Sequence, residues 1–226
     1  MSDGVIQEAR QIAFCEGEFL VKALESEEEL RQAYQLRHKV FAEKLKWVPE
    51  SKTRLESDVY DAWSTSIGLF SGQKQLLGMV RMTPAPFPFM LESEFSGCLV
   101  GSHHVRKELD TAEITRLAVD PGITDRGLSA KIMRTIFKGM YHWTLANDIR
   151  YTYMVVENRL LRVVQRIGWP CRAIGAPVVI PPADVLSVGA LLDLDEFRAT
   201  AASERPEMLG WLQATESATR EIAARV

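Results

Sequence analysis

The chain has 226 residues, of which 46% are hydrophobic, 25% charged and 8% aromatic, proportions that exclude collagen-like, disordered and disulfide-scaffold proteins. Lys and Arg number 27 against 30 Asp and Glu, a net charge of −3. Without a basic excess to neutralise phosphates, a general nucleic-acid binder is excluded.

Cys15, Cys98 and Cys171 show no C-x-x-C spacing and read as reduced thiols of a cytoplasmic protein rather than as a metal or disulfide framework. The first nineteen residues, MSDGVIQEARQIAFCEGEF, carry charges throughout and contain no apolar core of a secretion signal. The stretch Ala173–Leu192 is interrupted by Pro177, Pro181, Pro182 and Asp184, so no membrane span is expected.

In chain order, Phe19–Leu24 reads as a first strand. Ser26-Glu27-Glu28-Glu29 matches a capping box, and a helix is expected from Glu27 to Leu45, with Leu30, Ala33, Tyr34, Val40 and Phe41 at helical spacing. Lys46–Tyr60 is polar and aperiodic, a long functional loop. Strands follow at Ser64–Phe70 and Leu76–Thr83, ended by Pro84, Pro86 and Pro88. Met90–Phe95 reads as a short helix, Ser96–Thr111 as a loop, and Ala112–Val119 as a buried strand. A long amphipathic helix, Leu128–Leu145, precedes a strand at Arg150–Val156 and a short helix at Arg159–Gly168. Val178–Ile180 and Val188–Leu192 read as terminal strands, and the tail from Glu204 as a solvated helix beginning near Pro206. The pattern predicts one α/β domain over residues 1–226, with a mixed sheet between helices and a core at about 19–197.

Charges in apolar surroundings mark the candidate site. Arg37 falls between Ala33, Tyr34, Val40 and Phe41 on the apolar helix face, where an unpaired guanidinium would cost several kcal/mol. Asp58-Val59-Tyr60-Asp61 places two carboxylates in the loop after Trp47, an arrangement that suits a cation, with an aromatic face nearby. Glu113 and Arg116 interrupt an otherwise apolar strand. Residues three apart point to opposite faces of a regular strand, so a β-bulge is needed to bring both to one side. Arg81 lies amid Met79, Val80 and Met82. Together Arg37, Phe41, Trp47, Asp58, Asp61, Arg81, Glu113 and Arg116 make three acids, three arginines and two aromatics, suited to a zwitterionic, cationic small molecule. Taken alone, Arg37 also reads as a snorkelling arginine or a structural ion pair, Asp58 and Asp61 as solvated loop acids or a helix cap, and Glu113 with Arg116 as an internal ion pair that only holds the fold.

These segments, Leu36–Phe41, Trp47, Asp58–Asp61, Val80–Pro84 and Glu113–Val119, resemble the acyl-homoserine-lactone synthases of bacterial quorum sensing. The run Arg166–Pro170 with Ile174-Gly175 resembles the family's second half, and the likeness covers roughly Phe19 to Phe197. It implies a GNAT-like three-layer αβα sandwich with a splayed mixed sheet. It also implies S-adenosyl-L-methionine as a substrate rather than a cofactor, no metal, and a fatty acyl donor on acyl carrier protein or coenzyme A. By the same resemblance, Glu113 accepts the amine proton and backbone N–H groups near Arg116–Val119 hold the oxyanion. Arg37 or Arg116 grips the substrate carboxylate, Asp58 and Asp61 balance its positive charges or brace Arg37, and Phe41 and Trp47 cover it. The acyl pocket is expected at Met154-Val155-Val156, which offers no hydroxyl and favours an unsubstituted chain. Arg159, Arg162 and Arg166 fall on one helix face and are the expected carrier-protein dock, with Lys131 and Arg172 nearby. The acetyl-coenzyme A signature of ordinary GNAT enzymes survives only as the imperfect Arg126-Gly127-Leu128-Ser129-Ala130. The rival readings are an N-acyl amino acid synthase of the same fold and a catalytically idle carrier-binding module.

Overall fold

The computed structural model describes residues 9–99 and 103–217. Parts of the expected N-terminal segment, of the loop Ser96–Thr111 and of the C-terminal tail lie outside the described residues.

Two short strands open the fold, β1 (Ala13–Glu16) and β2 (Phe19–Ala23), the first of which the sequence pattern did not reveal. Helix α1 (Glu27–Arg37) starts at the expected capping box, with Ser26 Oγ accepting from the Glu29 amide and the Glu29 carboxylate accepting from the Ser26 amide. It runs on into a π-helical stretch, His38–Lys44. Strands β3 (Thr65–Phe70) and β4 (Leu76–Pro84) form a hairpin, followed by β5 (Thr111–Val119), α2 (Arg126–Ala146), β6 (Tyr151–Glu157) and α3 (Asn158–Arg166). The last elements are β7 (Arg172–Ala173), β8 (Val178–Val179), β9 (Leu186–Asp193), α4 (Leu194–Glu204), α5 (Pro206–Gln213) and β10 (Glu216–Ser217). The sheet order is β10-β1-β2-β3-β4-β5-β6-β9-β7, with β8 also on β9.

Alternation along β4 shows the layers. Met79 packs with α1 residues Ala33 and Leu36, whereas Val80 and Met82 pack with α2 residues Ile132 and Ile136. Successive strand residues face opposite sides, so α1 and α2 cover opposite faces. Gly139 lets α2 approach closely, since a Cβ there would lie 2.9 Å from Val21 Cγ1.

The tail differs from expectation. Leu212 is fully buried, and Trp211 Nε1 donates to Glu16 at 2.7 Å. Lys138, buried on α2, pairs with the same carboxylate. Helix α5 therefore docks on the body of the protein rather than standing in solvent.

The sheet is antiparallel except between β5 and β6, which run parallel. That pairing covers only Thr111–Ile114 against Tyr151–Met154. Beyond it β6 continues along β9 as far as Glu157, while β5 continues along β4. The sheet splits into a notch, and the site lies there.

Candidate active site

The split has a local cause. Met79 faces Ala118 and Arg81 faces Thr115, so two steps on β4 oppose three on β5. The extra residue is a β-bulge at Arg116–Leu117, and Arg116 takes a left-handed φ of 53°. The bulge re-aims Arg116 towards the face that carries α1 and ends regular pairing on that strand.

Arg37, Arg81 and Arg116 converge from three elements on one carboxylate cluster. Arg37, with no exposed side-chain surface, donates from Nε to Glu56, from Nη1 to Asp61 at 2.6 Å and from Nη2 to Asp58 at 3.4 Å. Arg81, equally buried, donates to Asp58, to Asp61 at 2.7 Å and to Thr115 Oγ1 at 2.9 Å. Arg116 donates to Glu56 and Asp58, each at 2.9 Å. The acids are held by their own backbone. Asp58 accepts from the Tyr60 amide and Asp61 from the Asp58 amide, a reciprocal cap that opens the 3-10 turn Val59–Trp63.

Burial alone would discharge these groups, and the pairing reverses it. Glu56 is held below the usual carboxylate range because Arg37 and Arg116 outweigh its desolvation. Asp61 is held down by Arg37 and Arg81 in the same way, and Arg37 is held above its ordinary value by Glu56 and Asp61. Three guanidinium groups against Glu56, Asp58 and Asp61 make the cluster neutral. Glu56 is the residue that sequence reasoning missed. Glu113 had filled the third acidic place, whereas the structure puts Glu113 elsewhere.

The Glu113 carboxylate is fully buried and accepts the amides of Met90 and Leu91, each at 2.7 Å, at the start of a 3-10 turn, Met90–Glu92. Burial pushes it up to about 7, against the pull of those two amides. Met90 forms the bridge to the cluster, its sulfur 3.1 Å from Arg81 Nη2 and 3.5 Å from Arg116 Nη1.

A cavity of about 960 Å³ opens at the notch. Phe41, Trp47, Asp58, Tyr60, Glu94 and Arg116 line one part. Met133, Phe137, Met140, Met154, Val156, Leu160 and Trp169 line the rest, which is predominantly apolar. Of the expected site residues, Phe41, Trp47, Asp58, Arg116, Met154 and Val156 therefore reach the cavity. Arg37, Asp61, Arg81 and Glu113 stand behind its lining. Phe41 and Trp47 have ring centroids 6.1 Å apart, and the Arg116 guanidinium lies 5.5 Å from the Phe41 ring centre. Tyr60 Oη donates to Glu94 at 2.6 Å, and burial and the Glu94 carboxylate push the phenol up to about 12. Arg159, Arg162 and Arg166 are apart from this cluster, exposed on α3 around half-exposed Val163 and Ile167. Lys131 and Arg172 are already engaged by Glu18 and Glu196. Among the described residues no group of three or more His, Cys, Asp or Glu is placed to hold a metal, and no helix is long and apolar enough to cross a membrane.

The chain matches the autoinducer synthase family over residues 22–201. It is 33% identical over 173 residues to an acyl-homoserine-lactone synthase of Aeromonas salmonicida, covering 75% of this chain and 83% of that protein. Among solved structures it is similar to the AHL synthase LasI, with a TM-score of 0.69 and 20% identity over 83% of this chain and 91% of that one. It is also similar to BjaI, a CoA-dependent acyl-homoserine lactone synthase solved with MTA, with a TM-score of 0.67 and 20% identity over 82% of this chain and 81% of that one. The GNAT-like mixed fold agrees with these neighbours. A neutralised arginine–carboxylate cluster that reaches the wall of a predominantly apolar cavity through Asp58 and Arg116, on a chain with these relatives, identifies an acyltransferase of the autoinducer synthase family, the acyl-homoserine-lactone synthases.

Proposed function

We propose that the protein joins an acyl group to the amine of S-adenosyl-L-methionine and closes the product to an N-acyl-L-homoserine lactone. The observation that carries this reading is one cavity with two chemistries, charged and aromatic side chains (Asp58, Glu94, Arg116, Phe41, Trp47) on the same cavity wall as many apolar ones. The first suits a sulfonium-bearing amino acid and the second an alkyl chain.

Arg116, the arginine on the cavity wall, holds the substrate carboxylate, and Arg37 and Arg81 hold the acids that aim it. Asp58 and Glu94 face the ammonium and sulfonium charges, with Trp47 and Phe41 covering them. The amine loses its proton and attacks the thioester carbonyl. Glu113 is the acceptor, supported by its carboxyl titrating near neutrality. Because it accepts the Met90 and Leu91 amides behind the cavity lining, this role requires the proton to be relayed to it. Backbone N–H groups of the bulged strand near Arg116–Val119 receive the oxyanion. The tetrahedral species collapses and expels the donor thiol. The carboxylate then attacks the γ-carbon, the C–S bond breaks, and neutral 5′-methylthioadenosine leaves as the lactone closes.

The donor is acyl carrier protein, an acidic partner. The exposed arginines of α3 support this, because Glu157, Leu160 and Val164 of the same segment line the cavity. A cytoplasmic location is part of the same proposal. The test is purified protein with S-adenosyl-L-methionine and an acyl-carrier thioester. Equal amounts of lactone and 5′-methylthioadenosine support the reading. Acylation of a free amino acid without 5′-methylthioadenosine would make it an N-acyl amino acid synthase, and carrier binding with neither product an idle module. A Glu113→Gln variant with an unchanged acylation rate would remove Glu113 as the proton acceptor.

A further inference from the structure

A buried imidazole pins the middle of the loop between Trp47 and Asp58. His38, the first residue of the π-helical stretch, is 2% exposed. Its Nε2 accepts from the Ser51 amide at 3.2 Å, and Glu43 Oε1 lies 3.3 Å from its Nδ1. Accepting at Nε2 places the ring hydrogen of neutral His38 on Nδ1, on the side of the Glu43 carboxylate. The Ser51 bond therefore exists only while the ring is neutral, because an imidazolium donates from both nitrogens. Imidazole is the side chain that ordinarily gains its proton between pH 5 and 8.

The loop depends on this anchor. Upstream, the Trp47 amide donates to the Phe41 carbonyl at 2.8 Å, and downstream the Glu56 amide donates to the Tyr34 carbonyl at 3.0 Å. Between them residues 49–55 are mostly exposed. The ion pairs that tie this stretch, Arg54 with Glu43 and Lys46 with Glu50, stand in solvent, where such pairs contribute little. Ser51 transmits the anchor, since its hydroxyl donates to the Leu55 carbonyl at 2.8 Å and accepts from the Leu55 amide at 3.1 Å, next to Glu56. The charges that face the ring are Glu43 on its own stretch and Glu50 from the loop, which attract an imidazolium, opposed by their partners Arg54 and Lys46. Arg37, the preceding residue, is engaged by Glu56, Asp58 and Asp61. A proton on Nε2 sets donor against donor at Ser51 and leaves both without an acceptor there.

We infer that His38 is a positioning residue for the S-adenosyl-L-methionine site: the neutral ring holds the loop that carries Trp47, Glu56 and Asp58, and a proton on Nε2 releases it. This rests on the lactone-synthase reading above. It makes substrate affinity, rather than chemistry, the quantity that falls in mild acid.

The test measures kcat and KM for S-adenosyl-L-methionine at pH 7.5 and pH 5.5, using the full-length protein and an octanoyl thioester on acyl carrier protein or on coenzyme A. It compares the wild type with His38→Gln, which offers a carbonyl oxygen in place of Nε2 and gains no proton, and with His38→Leu, which offers no acceptor. Titration of Glu113 and of the substrate amine is common to all three proteins and cancels in the ratios of their KM values. Between the two pH values the wild-type KM is expected to rise about tenfold more than that of His38→Gln. His38→Leu is expected to show a KM about tenfold above the wild type already at pH 7.5, with kcat changed less. A His38→Gln KM that climbs as steeply as the wild type's, or a wild-type KM in His38→Leu at pH 7.5, overturns the inference while lactone is still made. Hydrogen exchange of the Ser51 amide in the wild type, corrected for the intrinsic effect of pH, should lose protection at pH 5.5. Unchanged protection overturns the inference even where His38→Gln does not fold. No lactone from the wild type with either thioester at pH 7.5 overturns the parent reading, and this inference with it.

Discussion

Glu56 gives the sharpest test of the arginine cluster. Its carboxylate accepts from Arg37 Nε and from Arg116 Nε and Nη2, and its side chain is 9% exposed. Glu56→Gln keeps the shape and leaves three guanidinium groups facing two carboxylates, one uncompensated positive charge in a buried site. Breaking a buried pair costs about 3–5 kcal/mol. The glutamine carbonyl still accepts from one guanidinium, which puts the expected loss near the lower end, about 3 kcal/mol. For a chain of this length a loss of 1 kcal/mol lowers Tm by about 2–4 °C, so the variant should melt about 6–12 °C lower. Thermal unfolding followed by circular dichroism at neutral pH and low salt measures it. Adding Arg116→Met restores neutrality, and the double variant should lose at least about 1 kcal/mol less than the sum of the single variants. A Tm drop below about 2 °C, or strictly additive losses, would refute the argument that charge balance holds this cluster together.

The same groups set the pH response. Glu56 and Asp61 are held below their unfolded values of about 4.3 and 3.9, so the stability they contribute is present above those values and is lost as pH falls through and below them. Glu113 has the opposite sign. Pushed up to about 7, it favours the folded state fully below its unfolded value, and that contribution fades as pH rises towards 7. Denaturant unfolding from pH 3 to pH 8 should show both limbs, with the upper one flattened in Glu113→Gln. Replacing Arg159, Arg162 and Arg166 together by glutamine should raise KM for the acyl-carrier thioester severalfold and weaken its salt dependence, leaving KM for S-adenosyl-L-methionine unchanged. A salt-independent wild-type KM would count against α3 as the dock. Gly139→Ala places a methyl 2.9 Å from Val21 Cγ1 and 3.2 Å from Ile67 Cγ2, and should cost about 1–3 kcal/mol by separating α2 from the sheet, read as a lower Tm.

Much of the site was legible because its residues violate their surroundings. A charge at an apolar position of a periodic segment announces itself, which is how Arg37, Arg81, Glu113 and Arg116 stood out. The need for a bulge followed from the parity of a strand, and β5 has one. Glu56 gave no such signal, since a carboxylate in a polar, aperiodic loop looks solvated. Its role depends on Arg37 and Arg116 arriving from distant parts of the chain. The tally of three acids to three arginines even balanced with the wrong third acid, because Glu113 is held by backbone amides instead. Helix α4 went unread although Asp193 caps it, accepting from the Asp195 and Glu196 amides. Its apolar residues are too sparsely patterned to stand out.

The π-helical stretch after α1 acts as a phase shifter. Leu45 N donates to Val40 O at 2.9 Å, five residues back rather than four, so this stretch holds about one residue more than an α-helix of the same rise. One residue is about 100° of rotation. Arg37, upstream, thereby keeps its aim at the interior acids, while Phe41 and, past the end, Trp47 swing round to wall the cavity. A single deletion at His38, Lys39 or Val40 would leave the polypeptide helical yet turn those two rings out of line with the arginine beneath them.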